Sequence, residues 1–304
     1  MRSIGADELR ELLSMTGAID ALEAGFRDGD PSGTPPRSSI DTPAGSMLLM
    51  PTSGTAGVGV KLVALTPSNP ERGLPFISAV YVLFDLATQT PEAVIDGAAL
   101  TALRTAAVSG LATRHLARPD ARRLVIFGAG VQAGAHLEAM LAVRPVERVA
   151  IVSPTLARAE ALAHQARGLG VDAVVGDPDE VAEGDLVCAC TTSTSPLFDG
   201  SALAPGAHVN AVGAYLPDAR ELDSATIARS KVVVETRDAA LAEAGDLLIP
   251  MGEGAIGSEH VVADLKELVT GAAVRTSPDD VTVFKSVGIA FEDLVVARAV
   301  VEAA

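Results

Sequence analysis

Two kinds of hydrophobic spacing divide this chain. Between residues 37 and 95, short apolar runs bounded by Gly, Pro and Asn predict strands at 37–41, 46–50, 57–64, 77–85 and 93–95, an antiparallel sheet or half-barrel. Helical spacing precedes them at 7–13 and 19–27, with a Pro/Ser/Gly-rich turn region at 30–36. A long small-residue helix follows at 98–116, and its Ala, Ser and Gly positions suit a connector against which other elements pack closely. From Arg123 the pattern changes. Apolar runs at 124–127, 149–152, 171–175, 186–190, 209–212 and 232–235 alternate with helical stretches, which predicts a parallel, doubly wound sheet. The segment from 281 has a strand-like start and an apolar-periodic helix from Ala290. It does not continue the alternation, so the sequence reads as an α/β domain at 117–277 inserted into an α+β domain formed by 1–116 and 278–304.

The turn after the first run of that alternating region is Gly128-Ala129-Gly130-Val131-Gln132-Ala133. Glycines there let the backbone turn tightly and approach a pyrophosphate. The small Ala133 lets helix and strand pack closely, and the helix N-terminus presents N–H groups to the anion. The position after a strand and before a helix is the context a dinucleotide site requires.

Composition narrows the function classes. The chain of 304 residues is 48% hydrophobic and 20% charged, which is globular and large enough for two cores. A formal charge of −16, no Trp and two Tyr argue against nucleic-acid binding. No apolar run is long enough to span a bilayer, and the N-terminus turns acidic at once, so a cytoplasmic protein is expected. Cys188 and Cys190 sit in a strand pattern and are expected to be core thiols rather than zinc ligands. The five histidines show no metal-ligand spacing, and His136 reads as a packed or solvated helix residue.

Four separated blocks carry a family resemblance: Arg104-Thr105-Ala106-Ala107-Val108-Ser109, the glycine turn itself, Asn210-Ala211-Val212-Gly213-Ala214 with Arg220-Glu221-Leu222-Asp223, and Phe284-Lys285-Ser286-Val287-Gly288. In this order they resemble the ornithine cyclodeaminase/mu-crystallin family. The resemblance implies a Rossmann-type dinucleotide domain inserted into a substrate and dimerisation domain, a homodimer, a nicotinamide cofactor, and a small cyclic imino or amino acid substrate. Where the cyclodeaminase pattern has an Asp after the Val-Gly-Gly/Ala turn, this chain has Tyr215. A phenol, with its reference pKa of about 10, serves an amine poorly as a proton acceptor. Asp218 follows three residues later, where it could substitute for that acid or be a solvated turn residue, the favoured reading. The stretch therefore resembles the ketimine reductase branch more than the cyclodeaminases.

By the same resemblance Arg37, Lys61 and Arg104 match substrate-binding positions, and Arg104 also matches a cofactor-binding one. Guanidinium groups can grip a carboxylate with two parallel hydrogen bonds, and the Lys61 ammonium can polarise or protonate an imine, which makes Lys61 the candidate catalytic residue. Tyr215 is a candidate for shaping the substrate pocket. For the cofactor the candidates are Gly128, Gly130, Val131 and Gln132 at the pyrophosphate, and Thr191, Val212, Ser286 and Val287 along the sheet edge. Ser153, Thr155 and Arg158 follow the second strand, where an acid would select NAD. No carboxylate stands there, so NADP(H) is favoured over NAD(H). The expected activity is NAD(P)H-dependent reduction of cyclic ketimine carboxylates such as Δ1-pyrroline-2-carboxylate or Δ1-piperideine-2-carboxylate. The alternatives are an ornithine or lysine cyclodeaminase, an alanine dehydrogenase-like enzyme, and a non-catalytic nucleotide-binding protein.

Overall fold

The computed structural model describes all 304 residues, which form two compact units: Met1–Val108 with Ile289–Ala304, and Ser109–Gly288.

The first unit is built on a six-stranded sheet of β1 (Arg2–Ile4), β2 (Ser38–Thr42), β3 (Gly45–Gly54), β4 (Gly57–Leu65), β5 (Ile77–Phe84) and β6 (Pro91–Asp96), in the order β1-β6-β5-β4-β3-β2. Neighbours from β2 to β6 run antiparallel, as the turn-bounded runs predict, while β1, which the sequence pattern misses, joins parallel to β6. A three-residue strand has too few positions to display alternation. Along β4 burial alternates, and Gly57, Gly59, Lys61 and Val63 take the buried positions. The C-terminal helix Ala290–Glu302 packs against β3, β4 and β5 and against the helix Met15–Asp28. That second helix buries Ala18, Ile19, Leu22 and Phe26 at helical spacing and is capped by Ser14, whose side chain accepts from Gly17 N. At Gly25 the helices touch so closely that a Cβ would lie 2.8 Å from a Val295 methyl group.

The helix Gly97–Leu116 carries the chain from the first unit into the second. There eight strands, β7 (Arg123–Phe127), β8 (Arg148–Val152), β9 (Asp172–Val175), β10 (Leu186–Ala189), β11 (His208–Ala211), β12 (Lys231–Val234), β13 (Val261–Asp264) and β14 (Thr282–Lys285), form one all-parallel sheet. The order β13-β12-β14-β11-β10-β7-β8-β9 reverses direction at β7, the topological switch point of a doubly wound fold. β10 and β11 are buried at every position, as strands covered on both faces must be.

The structure corrects one element of the sequence reading. Residues 278–288 do not return to the first domain, because β14 is inserted between β11 and β12, and the return begins at Ile289. All four of its residues are buried, and no long helix precedes it, so neither alternation nor a βα rhythm marks it. The connecting helix also divides earlier than expected. Its second half belongs with the second unit, where Thr113 Oγ1 accepts from Asn210 Nδ2 at 2.9 Å and Ser109 Oγ lies 2.9 Å from His136 Nε2.

Candidate functional site

In the second unit the glycine turn has the shape its sequence implies. Gly128 has φ +102°, and a Cβ there would sit 2.6 Å from the Cys190 carbonyl oxygen, so a side chain is excluded on both counts. Gly130 differs: it is the N-cap of the helix Val131–Val143, no side chain caps that terminus, and a Cβ on it would meet nothing within 4 Å. The backbone thus faces open space at a positive helix end, with Val131 exposed, Gln132 half-buried and Ala133 buried against the strand. This cradle fits a dinucleotide pyrophosphate. After β8, Ser153 accepts from Thr155 N at 3.3 Å. Thr155 starts the helix Leu156–Gly168 without capping it through its side chain, and Arg158 is exposed on the first turn. No acid stands in this stretch.

The loops beyond β10, β11 and β14 are held by buried carboxylates to which the sequence reading assigned no role. One Glu221 oxygen accepts from Thr191 N and Oγ1, both at 2.7 Å, and the other from Gly213 N at 2.7 Å and Ala214 N at 3.3 Å. Burial pushes this carboxyl up from its ordinary pKa, and the nearby Lys285 ammonium and the Thr191 donors oppose the shift. Glu235 does the same for the loop after β14, accepting from Ser286 Oγ at 2.6 Å, Val287 N at 3.0 Å and Gly288 N at 2.8 Å. Lys285 is fully buried, 2.8 Å from an Asp246 oxygen, and donates to Ala214 O at 2.5 Å. Asp246 in turn accepts from the backbone N–H groups of Glu221 and Leu222, both at 2.8 Å. Thr191, Val212, Ser286 and Val287 therefore stand on loops whose shape is fixed from beneath. Glu221 and Lys285 lie within the blocks quoted above, and an acid directly after the buried strand Lys231–Val234 was the available signal for Glu235. Tyr215 is half-buried and packs against this unit's apolar core, while Asp218 is an exposed turn residue.

In the first unit, register places the candidate residues in one cross-strand row. Met50 pairs with Lys61 and Lys61 with Tyr81, so these side chains share a face. Arg37 directly precedes β2, and the pairing of Ser38 with Leu49 sets it level with Met50. Lys61 and Arg104 come together on the C-terminal helix. Lys61 Nζ donates to Asp293 Oδ1 at 2.9 Å, Arg104 Nε donates to the same oxygen at 3.1 Å, and Arg104 Nη1 donates to Glu292 Oε2 at 2.7 Å. Lys61 is 1% and Arg104 6% exposed, and both carboxylates are fully buried. Arg37 is half-buried.

Burial, with Arg104 adding to it, lowers the Lys61 pKa to about 8, although Asp293 and Glu292 pull the other way. An ammonium so poised can give up a proton near neutral pH. Tyr81 is completely buried, and its hydroxyl has no hydrogen-bond partner. Burial and the Asp293 charge raise its pKa well above the ordinary phenol value. Asp293 and Glu292 escaped the sequence reading, although two adjacent acids in the first turn of a largely apolar helix were a visible signal.

Other polar groups serve the fold. His136 Nδ1 lies 2.8 Å from Gln132 O, and burial lowers its pKa to about 4. Cys188 is buried, its thiol pushed up to about 12 by burial, and Cys190 lies one residue beyond β10 rather than within it. No group of three or more His, Cys, Asp or Glu side chains is arranged to hold a metal, and no helix is long and apolar enough to cross a membrane.

Comparison with known proteins agrees with this geometry. The model of the ornithine cyclodeaminase/mu-crystallin family matches residues 4–304. A Delta(1)-pyrroline-2-carboxylate reductase of Bacillus cereus is 38% identical over all of this chain and 97% of its own length. The structure of the Thermococcus litoralis Delta(1)-pyrroline-2-carboxylate reductase with NADH and L-proline superposes with TM-score 0.92 at 35% identity, over 100% of this chain and 97% of that one. An archaeal alanine dehydrogenase dimer with bound NAD gives TM-score 0.93 at 30% identity, over 100% and 95% of the two chains.

Proposed function

The chain belongs to the ornithine cyclodeaminase/mu-crystallin family, and we propose that it is an NAD(P)H-dependent oxidoreductase that reduces cyclic ketimine carboxylates, Δ1-pyrroline-2-carboxylate or Δ1-piperideine-2-carboxylate, to the cyclic imino acids. The observation that carries this reading is the buried Lys61–Arg104 pair in a chain with Tyr215 where a cyclodeaminase has an acid. Imine reduction needs a carboxylate anchor and a proton for nitrogen, and these two cations can supply both. When bound, a reduced nicotinamide supplies the hydride that adds at C2. Arg37 and Arg104 grip the substrate carboxylate. Lys61 binds its oxygen or gives the imine nitrogen the proton that its freed electron pair accepts. Tyr215 limits the volume open to the ring.

The cofactor is bound by the second unit, with Gly128, Gly130, Val131 and Gln132 at the pyrophosphate, Thr191, Val212, Ser286 and Val287 along the nicotinamide half, and Arg104 contributing a cation. The absence of an acid after β8, with Ser153, Thr155 and Arg158 in its place, favours NADP(H) over NAD(H). A homodimer fits the edge strand β2, whose Ile40 is 53% exposed, and the exposed Leu74 and Phe76. Two free cysteines suit a reducing cytoplasm. The archaeal alanine dehydrogenase likeness favours a second reading, reductive amination of pyruvate.

One experiment separates these readings: NADPH and NADH absorbance is followed with Δ1-pyrroline-2-carboxylate, with pyruvate plus ammonium, and, in the oxidised direction, with ornithine. Oxidation of NADPH by the cyclic imine, faster than of NADH, is the expected result. Ammonia release from ornithine with no imine reduction overturns the proposal.

A further inference from the structure

Asp293 is the anion that the two cations of the first unit share. Lys61 comes from the middle of β4 and Arg104 from the helix Gly97–Leu116, and neither element fixes the other's side chain. Two like charges brought together out of water repel each other strongly, so an anion must stand between them. One carboxylate does so, 2.9 Å from Lys61 Nζ and 3.1 Å from Arg104 Nε, on the first turn of the C-terminal helix, where the helix dipole favours negative charge. Its neighbour Glu292 accepts from Arg104. The groups facing Lys61 are Arg104, Asp293 and Glu292 from these two helices, Tyr81 from β5, and the uncharged Met50 from β3.

We propose that Asp293 is a positioning residue for the reaction: by accepting from Lys61 and Arg104 together it sets the two cations side by side and keeps the lysine charged, hence able to give its proton to the imine nitrogen. The inference rests on the reading of function above for what Lys61 does with that proton. The lowered Lys61 pKa, about 8, already shows burial and Arg104 outweighing Asp293, so loss of the aspartate charge leaves little to hold the proton. Replacing a carboxylate at this distance by an amide lowers a partner's pKa by about one to three units.

The test reads Lys61 directly. The chain has only four lysines, Lys61, Lys231, Lys266 and Lys285, so 13C NMR of the ε-methylene groups in lysine-labelled protein resolves Lys61, assigned with Lys61→Arg. In Asp293→Asn the Lys61 titration is expected to fall by about one unit or more, and the alkaline limb of kcat to fall with it, so that kcat at pH 8 drops about fivefold or more. NADPH affinity stays within twofold of wild type, and Glu292→Gln moves both curves by less. An unmoved Lys61 titration in Asp293→Asn overturns the inference. A titration that moves while the kcat profile stays put keeps Asp293 as the holder of the pair but removes Lys61 from proton transfer, which is a failure of the functional reading alone. If Asp293→Asn does not fold, Asp293→Glu, which keeps the charge and displaces it by one methylene, is expected to lower kcat while leaving the alkaline limb near its wild-type position. Wild-type kcat in that variant also overturns the inference.

Discussion

The two units both bury charge, and the second has a buried side-chain pair of its own in Lys285 and Asp246, but the carboxylates that shape its loops are matched differently from the ions of the first. In the first, Lys61 and Arg104 are matched by the side-chain carboxylates of Asp293 and Glu292, and the ions come from β4, the helix Gly97–Leu116 and the C-terminal helix. In the second, Glu221 and Glu235 are matched chiefly by backbone N–H groups of Gly213, Ala214, Val287 and Gly288. An anion spent on backbone amides fixes the shape of a loop. In the first unit the cations balanced by side chains are the ones the proposed reaction uses. The difference suits a division of labour in which one unit supplies chemistry and the other supplies form.

The largest expected effect comes from unbalancing the first unit. Lys61→Met leaves Asp293 with one of its two cations, and breaking a buried ion pair by removing one partner costs about 3–5 kcal/mol. Urea unfolding should show this loss, and imine reduction should fall by about 10²–10⁴-fold, as when a positioned proton donor is lost. NADPH affinity, measured by fluorescence quenching, should stay near wild type. A parallel loss of cofactor affinity would break the division between the units.

Next in size is an acid-labile response confined to one unit. All five histidines lie between residues 109 and 288, and two are buried neutral: His136, with a pKa lowered to about 4, and His208, lowered to about 3, in each case mainly by burial. The unfolded chain takes up these protons near pH 6.5, before the folded one does, so the stability they contribute is complete above that pH. It is lost as pH falls through the window down to about 4 for His136 and about 3 for His208. For His136 alone this amounts to about 3 kcal/mol. Native-state hydrogen exchange between pH 7 and 4 should show opening of the second unit before the first, and His136→Gln should flatten the response. Earlier opening of the first unit would refute the assignment.

How much of this was legible in the sequence follows the same division. The glycine turn, the αβ rhythm and the apolar runs of the second unit are local, so Gly128, Gly130 and six of the eight strands could be read directly. β13 was not read, and β14 was read as a strand-like start but given to the wrong domain. β13 follows a stretch with no long helix, and β14 inserts between β11 and β12 by a connection that leaves no periodic trace. In the first unit the strands were visible, but the charge cluster unites positions 61, 104, 292 and 293, and nothing local says that a lysine in a strand will meet an aspartate 232 positions away. The family resemblance supplied Lys61 and Arg104. The carboxylates left a local hint, two adjacent acids in the first turn of the C-terminal helix, but which cations they hold became visible only in three dimensions.

A smaller effect should follow from Glu221→Gln, the counterpart of the Lys61 variant in the second unit. The amide keeps one acceptor oxygen, but its NH2 group must face donors, either those of Thr191 or the N–H groups of Gly213 and Ala214. Leaving buried donors unmatched costs about 1–3 kcal/mol. Because the loops after β10 and β11 lose their common tie, KM for NADPH should rise, while kcat at saturating cofactor should change much less. A fall in kcat with no change in cofactor KM would make Glu221 part of the chemistry and blur the contrast between the units.

The smallest effect is expected at the surface after β8 and concerns which dinucleotide the second unit prefers. Arg158 is exposed, on the first turn of a helix whose N-cap Thr155 leaves its side chain uncommitted to the cap. An exposed cation paired with a phosphate contributes about 0.5–1 kcal/mol and is screened by salt. Arg158→Ala should therefore raise KM for NADPH only about two- to fivefold, leave KM for NADH unchanged, and lose its effect as ionic strength increases. Gly130→Ala provides the reference: a Cβ there enters the open space over the pyrophosphate cradle, so it should weaken NADPH and NADH alike, by about tenfold, without lowering the melting temperature. Equal losses with both dinucleotides in Arg158→Ala would assign that arginine to a part the cofactors share and remove the argument for NADP(H).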